Sequence, residues 1–319
     1  MRALYLTEAD VNLLVDMPTT IGVVEQSFLH LAEGRVSNVP RNRAVGKGVM
    51  LHTMSAADDA LGFAAWKAYT TTKHGARFLV GLYESSTGRL AALIEADRLG
   101  QLRTGATTGV AVKHLAPTDA DRLGLFGTGT QARTQLEAIA DVRNLKQVFV
   151  YGRDADRRRA FAESVGEELQ LDVVPVDSPA AAVRNLPLVV TATTSREPVF
   201  AGDDLATGCT LCAVGSNWLN KTELDVTAVR RAKRVVCDDL AACKHEAGDL
   251  HFAARHGAFD WSHAIALAEV VAGRNAERLT PEEIVLFKSV GLAAEDVALA
   301  AEVFRRAKAQ GRGVELPIG

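Results

Sequence analysis

The stretch Leu123–Arg133 reads LGLFGTGTQAR. A short apolar run ends at Gly127, Gly129 follows at G-x-G spacing, and Ala132 stands where the third small residue of a dinucleotide fingerprint belongs. The chemistry this pattern suits is the cradling of a pyrophosphate. Gly127 lets a tight turn close, Gly129 lets the backbone approach the phosphates, and Ala132 lets the next helix lie close to the strand. That helix, expected over Ala132–Val142, offers unpaired N–H groups at its N-terminus. Thr128 and Gln131 lie in the same loop and join the expected cofactor contacts. A second strand, Gln147–Tyr151, ends where such folds read the adenosine ribose. Gly152 and Arg153 stand there, followed by Asp154 and Arg157–Arg159. An arginine beside the ribose accommodates a 2′-phosphate, which favours NADP(H) over NAD(H). Asp154 leaves NAD(H) open, and the arginines also suit the first turn of a solvated helix.

Other residues stand out against their surroundings. Lys67 interrupts the apolar strand pattern FAAWKAY. It is either an edge-strand lysine facing water or a buried one that needs a partner or a function. Arg103 lies in a helical stretch rich in small residues, Thr104 to Thr107, which allow close packing or access to a ligand. Two apolar strands end in polar loops, at Thr193-Thr194-Ser195 and at Gly215-Ser216-Asn217. In doubly wound folds ligands sit at such carboxyl ends, so Thr193, Thr194, Ser195, Gly215 and Ser216 join the expected cofactor contacts, and Thr104, from the small-residue stretch that allows access to a ligand, is counted with them. No metal is expected. His245, Glu246, Asp249 and His251 lack an H-E-x-x-H spacing, and Cys209-x-x-Cys212 has no second half.

These groups need elements to position them. The 319 residues allow about two domains. With 48% hydrophobic and 24% charged residues the composition is that of a folded globular protein. A net charge of -3 argues against a dedicated nucleic-acid binder. No apolar run approaches a membrane span, and the early acidic residues do not suit a secretory signal. A cytoplasmic location is the default expectation. Thr7 and Asp10 form an approximate capping box ahead of a first helix, and a second runs from Thr19 or Thr20 to Glu33. Val36–Lys47 reads as a polar, glycine-containing stretch with Pro40, Arg41 and Arg43. Short strands follow between Val49 and Ile94. After the fingerprint, strands alternate with helices, which predicts a parallel sheet covered on both faces. Thr280 and Pro281 predict a helix start, with a break at Lys288–Gly291 and a last helix over Ala293–Ala309.

The combined pattern resembles the ornithine cyclodeaminase and mu-crystallin family along essentially the whole chain. The resemblance rests on Pro40 with Arg43, Lys67, Arg103-Thr104-Gly105-Ala106, Gly127 to Ala132, Thr191 to Ser195, Glu223-Leu224-Asp225, Phe287 to Gly291 and Glu295-Asp296. It implies an α/β fold: a Rossmann-like doubly wound parallel sheet with a second α+β substrate and dimerisation domain. Residues 1–119 with 293–319 would form the substrate and dimerisation domain, and 120–292 the NAD(P)-binding domain. It implies a homodimer acting on a small amino or imino acid. Arg43 and Arg103 are implied as substrate-binding residues, and Lys67 and Asp225 as catalytic ones.

An arginine fork suits a planar carboxylate. Lys67 is placed to hydrogen-bond that carboxylate or to move a proton, and Asp225 to stabilise an iminium. Hydride transfer itself belongs to the cofactor. The expected reaction is reduction of a cyclic imino acid, 1-pyrroline-2-carboxylate or 1-piperideine-2-carboxylate, because Gly152-Arg153 replaces the acidic residue expected of an NAD-committed cyclodeaminase. Ornithine cyclodeamination and alanine-type dehydrogenation stay as alternatives.

Overall fold

The structure is a computed structural model that describes residues 2–275 and 280–318. In chain order it runs β1 (Leu4–Leu6), α1 (Glu8–Leu14), α2 (Met17–Ala32), β2 (Val36–Gly46), β3 (Val49–Asp58), β4 (Phe63–Thr72), β5 (Gly75–Glu84), β6 (Leu90–Glu95) and α3 (Asp97–Leu115). It continues with β7 (Arg122–Phe126), α4 (Thr130–Val142), β8 (Gln147–Tyr151), α5 (Ala155–Leu169), β9 (Val173–Pro175), β10 (Leu188–Thr191) and β11 (Thr210–Ala213). The remainder is α6 (Val226–Arg231), β12 (Ala232–Cys237), α7 (Leu240–Glu246), α8 (Gly248–Arg255), β13 (Ala264–Ala266), α9 (Leu267–Val271), β14 (Ile284–Lys288), α10 (Ala293–Gln310) and β15 (Val314–Glu315). The chain divides into two compact units, Met1–Ala106 with Gly291–Gly319, and Thr107–Val290.

In the first unit the described strands form one mixed sheet in the order β15-β1-β6-β5-β4-β3-β2. The segment read as a polar, glycine-containing stretch is an 11-residue strand, β2, paired antiparallel with β3. Pro40 and the many polar residues hid it. Proline is tolerated because β2 is an edge strand, and the register shifts between Val39 and Asn42. The capping box is present: Thr7 accepts from the Asp10 N–H, and the Asp10 carboxylate accepts from the Thr7 N–H at 3.0 Å. Helix α10 packs on β3, β4 and α2. Its alanine-rich sequence lets it be buried nearly all round from Ala293 to Phe304.

In the second unit the described strands form a wholly parallel sheet, β13-β12-β14-β11-β10-β7-β8-β9. The chain winds outward from β7 through β8 to β9, then returns to the other side of β7 with β10. The order therefore reverses between β7 and β10, which is where such sheets open a crevice at their carboxyl ends. The helix expected from Thr280 is instead strand β14, seated between β11 and β12 with all five residues buried. Ile284, Val285, Leu286 and Phe287 form a continuous apolar run of the length a strand buried on both faces requires. All four cysteines are buried thiols. Among the described residues no helix is long and apolar enough to cross a membrane.

Candidate active site

The fingerprint turn closes for steric reasons. Gly127 has φ +117, and a Cβ there would lie 2.5 Å from the Ala192 carbonyl oxygen. Its N–H donates to the Tyr151 carbonyl at 2.9 Å, and Ala192 N–H donates to Phe126 at 2.8 Å. The loops after β7, β8 and β10 are thereby drawn together. Gly129 is the N-cap of α4, and a Cβ there would meet nothing within 4 Å. The resulting cavity, about 560 Å³, is lined by Gly127, Thr128 and Gly129, by Gly152, Arg153, Asp154 and Arg157, and by Thr193, Thr194 and Ser195. A helix N-terminus with free donors and an open cradle fits a dinucleotide pyrophosphate. Of the other expected cofactor contacts, Ala132 is buried, and Gln131, Gly215 and Ser216 lie outside the lining. Thr104 belongs to the first unit, where its hydroxyl donates to the Gly100 carbonyl at 2.7 Å.

The arginines after β8 separate by partner. Arg158 is tied down, donating to the Gly152 carbonyl at 2.7 Å and to Asp177. Arg153 and Arg157 line the cavity together with Asp154. Asp154 caps α5 through one carboxylate oxygen, which accepts the Asp156 and Arg157 N–H groups, both at 3.0 Å.

Beneath the cavity the second unit carries a buried charge cluster. Glu223 accepts from the Thr193 N–H and hydroxyl, both at 2.7 Å, from Gly215 N–H at 2.8 Å and from the Thr191 hydroxyl at 3.0 Å. It so ties the loops after β10 and β11. Burial raises the Glu223 pKa, against the pull of Lys288. Asp249 accepts the N–H groups of Glu223 and Leu224 at 2.6 and 3.1 Å and pairs with Lys288 at 2.8 Å. Lys288 also donates to the Ser216 carbonyl at 2.8 Å. Burial alone would lower the Lys288 pKa, but Asp249 and then Glu223 outweigh it and leave it raised. Asp225, expected to be catalytic, caps α6: its two oxygens accept from Ala228 N–H at 2.7 Å and Gly202 N–H at 2.9 Å.

The first unit gathers a second cluster. Lys67 is 3% exposed and donates to Asp296 Oδ1 at 2.9 Å. The same oxygen accepts from Arg103 Nε at 3.0 Å, while Arg103 Nη1 donates to Glu295 at 2.7 Å. Burial, with Arg103 and Arg41 nearby, lowers the Lys67 pKa to about 8 against the opposing pull of Asp296. For Arg103, burial is outweighed by Asp296 and Glu295, so its pKa is raised and it stays charged. Arg43 is half-buried on β2, opposite His52. Burial, then Arg43 and Arg41, hold His52 down to about 4. The structure thus brings Lys67 and Arg103 together through Asp296.

Some members of these clusters escaped sequence reasoning. Arg41 is named in the sequence only as part of a polar stretch and with no site role, yet it is two residues before Arg43 and buried. Reading Val36–Gly46 as a strand would have put both arginines on one face. Glu223, Asp249 and Lys288 also escaped as a cluster, although a lysine ending the apolar run IVLFK carries the same signal as Lys67.

Residues 1–311 match the ornithine cyclodeaminase/mu-crystallin family. A Delta(1)-pyrroline-2-carboxylate reductase of Bacillus cereus is 36% identical over 236 residues, 74% of this chain and 72% of that protein. Among solved structures, the Thermococcus litoralis Delta(1)-pyrroline-2-carboxylate reductase in complex with NADH and L-proline matches with TM-score 0.94 and 32% identity, covering 98% of this chain and 100% of that one. An archaeal alanine dehydrogenase dimer with bound NAD matches with TM-score 0.93 and 30% identity, covering 99% of each chain. These relatives hold NADH and NAD, which overturns the preference for NADP(H) drawn from Arg153. The physical reason lies in the same turn. Asp154 lines the cavity beside Arg153, and a carboxylate there can accept ribose hydroxyls and repels a 2′-phosphate. The chain belongs to the ornithine cyclodeaminase/mu-crystallin family.

Proposed function

We propose that the chain is an NADH-dependent reductase of a cyclic imino acid of the 1-pyrroline-2-carboxylate type. The observation that carries this reading is its whole-chain likeness to a reductase holding NADH and L-proline. A bound reduced nicotinamide would supply a hydride to the imine carbon. The C=N π pair passes to nitrogen, which takes one proton, and the products are the cyclic amino acid and NAD+. The unit Thr107–Val290 is assigned to the dinucleotide, with Thr128, Gly129 and the α4 N-terminus facing its phosphates and Asp154 its ribose. Thr193, Thr194 and Ser195 complete that assignment, and Gly215 and Ser216 support it from the neighbouring loop. The other unit is assigned to the substrate and to dimerisation. Lys67 supplies the proton, Arg43 and Arg103 attract the carboxylate, and Asp225 stabilises positive charge on the imine. The active form is a homodimer. Four buried thiols suit a reducing, cytoplasmic setting.

The test is to mix the protein with 1-pyrroline-2-carboxylate and NADH. The expected outcome is loss of the reduced-nicotinamide absorbance with formation of L-proline. Absence of oxidation, together with NAD+-dependent conversion of L-alanine to pyruvate and ammonia, would replace this reading by a second one. That second reading has the alanine dehydrogenase likeness in its favour. Redox-neutral conversion of ornithine to proline and ammonia with NAD+ would point instead to cyclodeamination.

A further inference from the structure

Lys67 sits on β4 between Met54 of β3 and Val80 of β5, with its amine 5.7 Å from the centre of the Phe78 ring. Helix α3 approaches so closely that a Cβ on Gly100 would lie 3.0 Å from the amine. The charged groups around it come from three elements: Arg41 from β2, Arg103 from α3, and Glu295 and Asp296 from α10. Arg41 and Arg103 both act against the charge of the buried Lys67 amine, and Asp296 acts for it. A buried space does not tolerate uncompensated charge, and an amine crowded by two guanidinium groups tends to lose its proton. One atom opposes this. Asp296 Oδ1 accepts from the Lys67 amine and from Arg103 Nε, and Glu295 takes the other side of the same guanidinium. The guanidinium has room because position 291 is glycine, at φ +84, where a Cβ would meet Arg103 Nη1 at 2.7 Å.

We infer that Asp296 is a positioning residue for Lys67: its shared oxygen holds the amine in place and charged, and Arg103 with Glu295 holds Asp296. The inference rests on the reading of Lys67 as the proton donor. In that role the ammonium gives its proton to the ring nitrogen as the nitrogen gains the C=N electron pair, and the neutral amine is reprotonated from solvent before the next turnover. A donor must be protonated at the start, so turnover falls as pH rises through the Lys67 pKa, near about 8. Removing the Asp296 charge removes a contribution that raises this pKa. Asp296→Asn therefore moves the alkaline fall to lower pH, with about a tenfold loss at fixed alkaline pH for each pKa unit moved. Asp296→Glu keeps the charge and restores the profile toward that of the unaltered enzyme.

The experiment measures kcat and kcat/KM against pH for the full-length enzyme with 1-pyrroline-2-carboxylate and NADH. In parallel, the Lys67 amine is titrated by NMR of lysine labelled with 13C at the ε carbon, assigned by its absence in Lys67→Met. The expected result is an acid-shifted alkaline limb and an acid-shifted Lys67 titration in Asp296→Asn, both recovered in Asp296→Glu. An unchanged limb and titration in Asp296→Asn overturn the inference. Should the asparagine variant not fold, Glu295→Gln reads the same coupling through Arg103 and is expected to give a smaller shift of the same sign; no shift overturns the inference equally. If the unaltered enzyme does not reduce the imine, the functional reading fails, and the NMR titration still decides the role of Asp296.

Discussion

A buried ammonium is stable only against a carboxylate or in its neutral form, and this chain holds one on each side of its division. Lys67 leans on Asp296, and Lys288 on Asp249. Lys67→Met is expected to fold and to bind NADH, and to lose about 10²–10⁴-fold in kcat/KM, the usual worth of a placed proton donor. Unimpaired turnover would remove Lys67 from the chemistry. Lys288 is predicted to matter for stability instead. Lys288→Met leaves the Asp249 carboxylate buried without its cation and costs about 3–5 kcal/mol. Adding Asp249→Asn recovers part of that loss, because an amide oxygen can still accept from Glu223 and Leu224 N–H. Urea unfolding of the single and double variants checks both statements, and a double variant no more stable than Lys288→Met counts against the pairing. Lysines breaking apolar runs are visible in the string FAAWKAY and in IVLFK. Their partners are not, since Asp296 stands 229 residues after Lys67. Only the packing of α10 on β3 and β4 makes them neighbours.

The element that could be read most directly was the strand–turn–helix of the fingerprint, because its signal is local: each glycine answers to a steric fact within a few residues. The two glycines are predicted to respond differently. Gly127→Ala places a Cβ against the Ala192 carbonyl at positive φ and is expected to destabilise the protein by about 1–3 kcal/mol. Gly129→Ala meets nothing in the fold. It is expected to keep the melting temperature within a few degrees and to raise the KM for NADH roughly tenfold, by crowding the phosphates. Thermal melts and NADH titrations separate the two, and equal behaviour would contradict the cradle. Elements whose character comes from their neighbours were less legible. Strand β2 carries proline and polar residues that only an edge position permits. Strand β14 follows a threonine–proline pair that mimics a helix start, and its burial on both faces comes from β11 and β12. The NADP(H) preference fails for a related reason. Composition after β8 shows an excess of arginines, whereas the structure commits Arg158 to Gly152 and Asp177 and leaves Asp154 beside the cavity.

At the scale of the whole molecule, the sheet of the first unit raises the question of its outer face. Pairing puts Leu51 beside Thr70, Ala68 beside Leu79, and Val39 in one row with Ser55 and Trp66. The alternate residues His52, Met54, Ala56, Ala65 and Lys67 are buried, so the opposite face carries Val39, Leu51 and Leu79 at 45%, 40% and 37% exposure. The Trp66 indole lies flat along this face over Gly81, where a Cβ would collide with it. Apolar side chains gathered on one face of a sheet mark an association surface rather than a solvated one. A homodimer that joins these faces accounts for them, and a symmetric interface brings each substitution in twice. Leu51→Asp and Leu79→Asp are therefore expected to convert the dimer to a monomer in multi-angle light scattering at micromolar concentration. NADH affinity should stay within about threefold of the unaltered protein, since its proposed site lies wholly in the other unit and a surface change outside a site has little effect on it. A dimer that survives both substitutions would place the interface elsewhere, and a monomeric unaltered protein would remove the need for one.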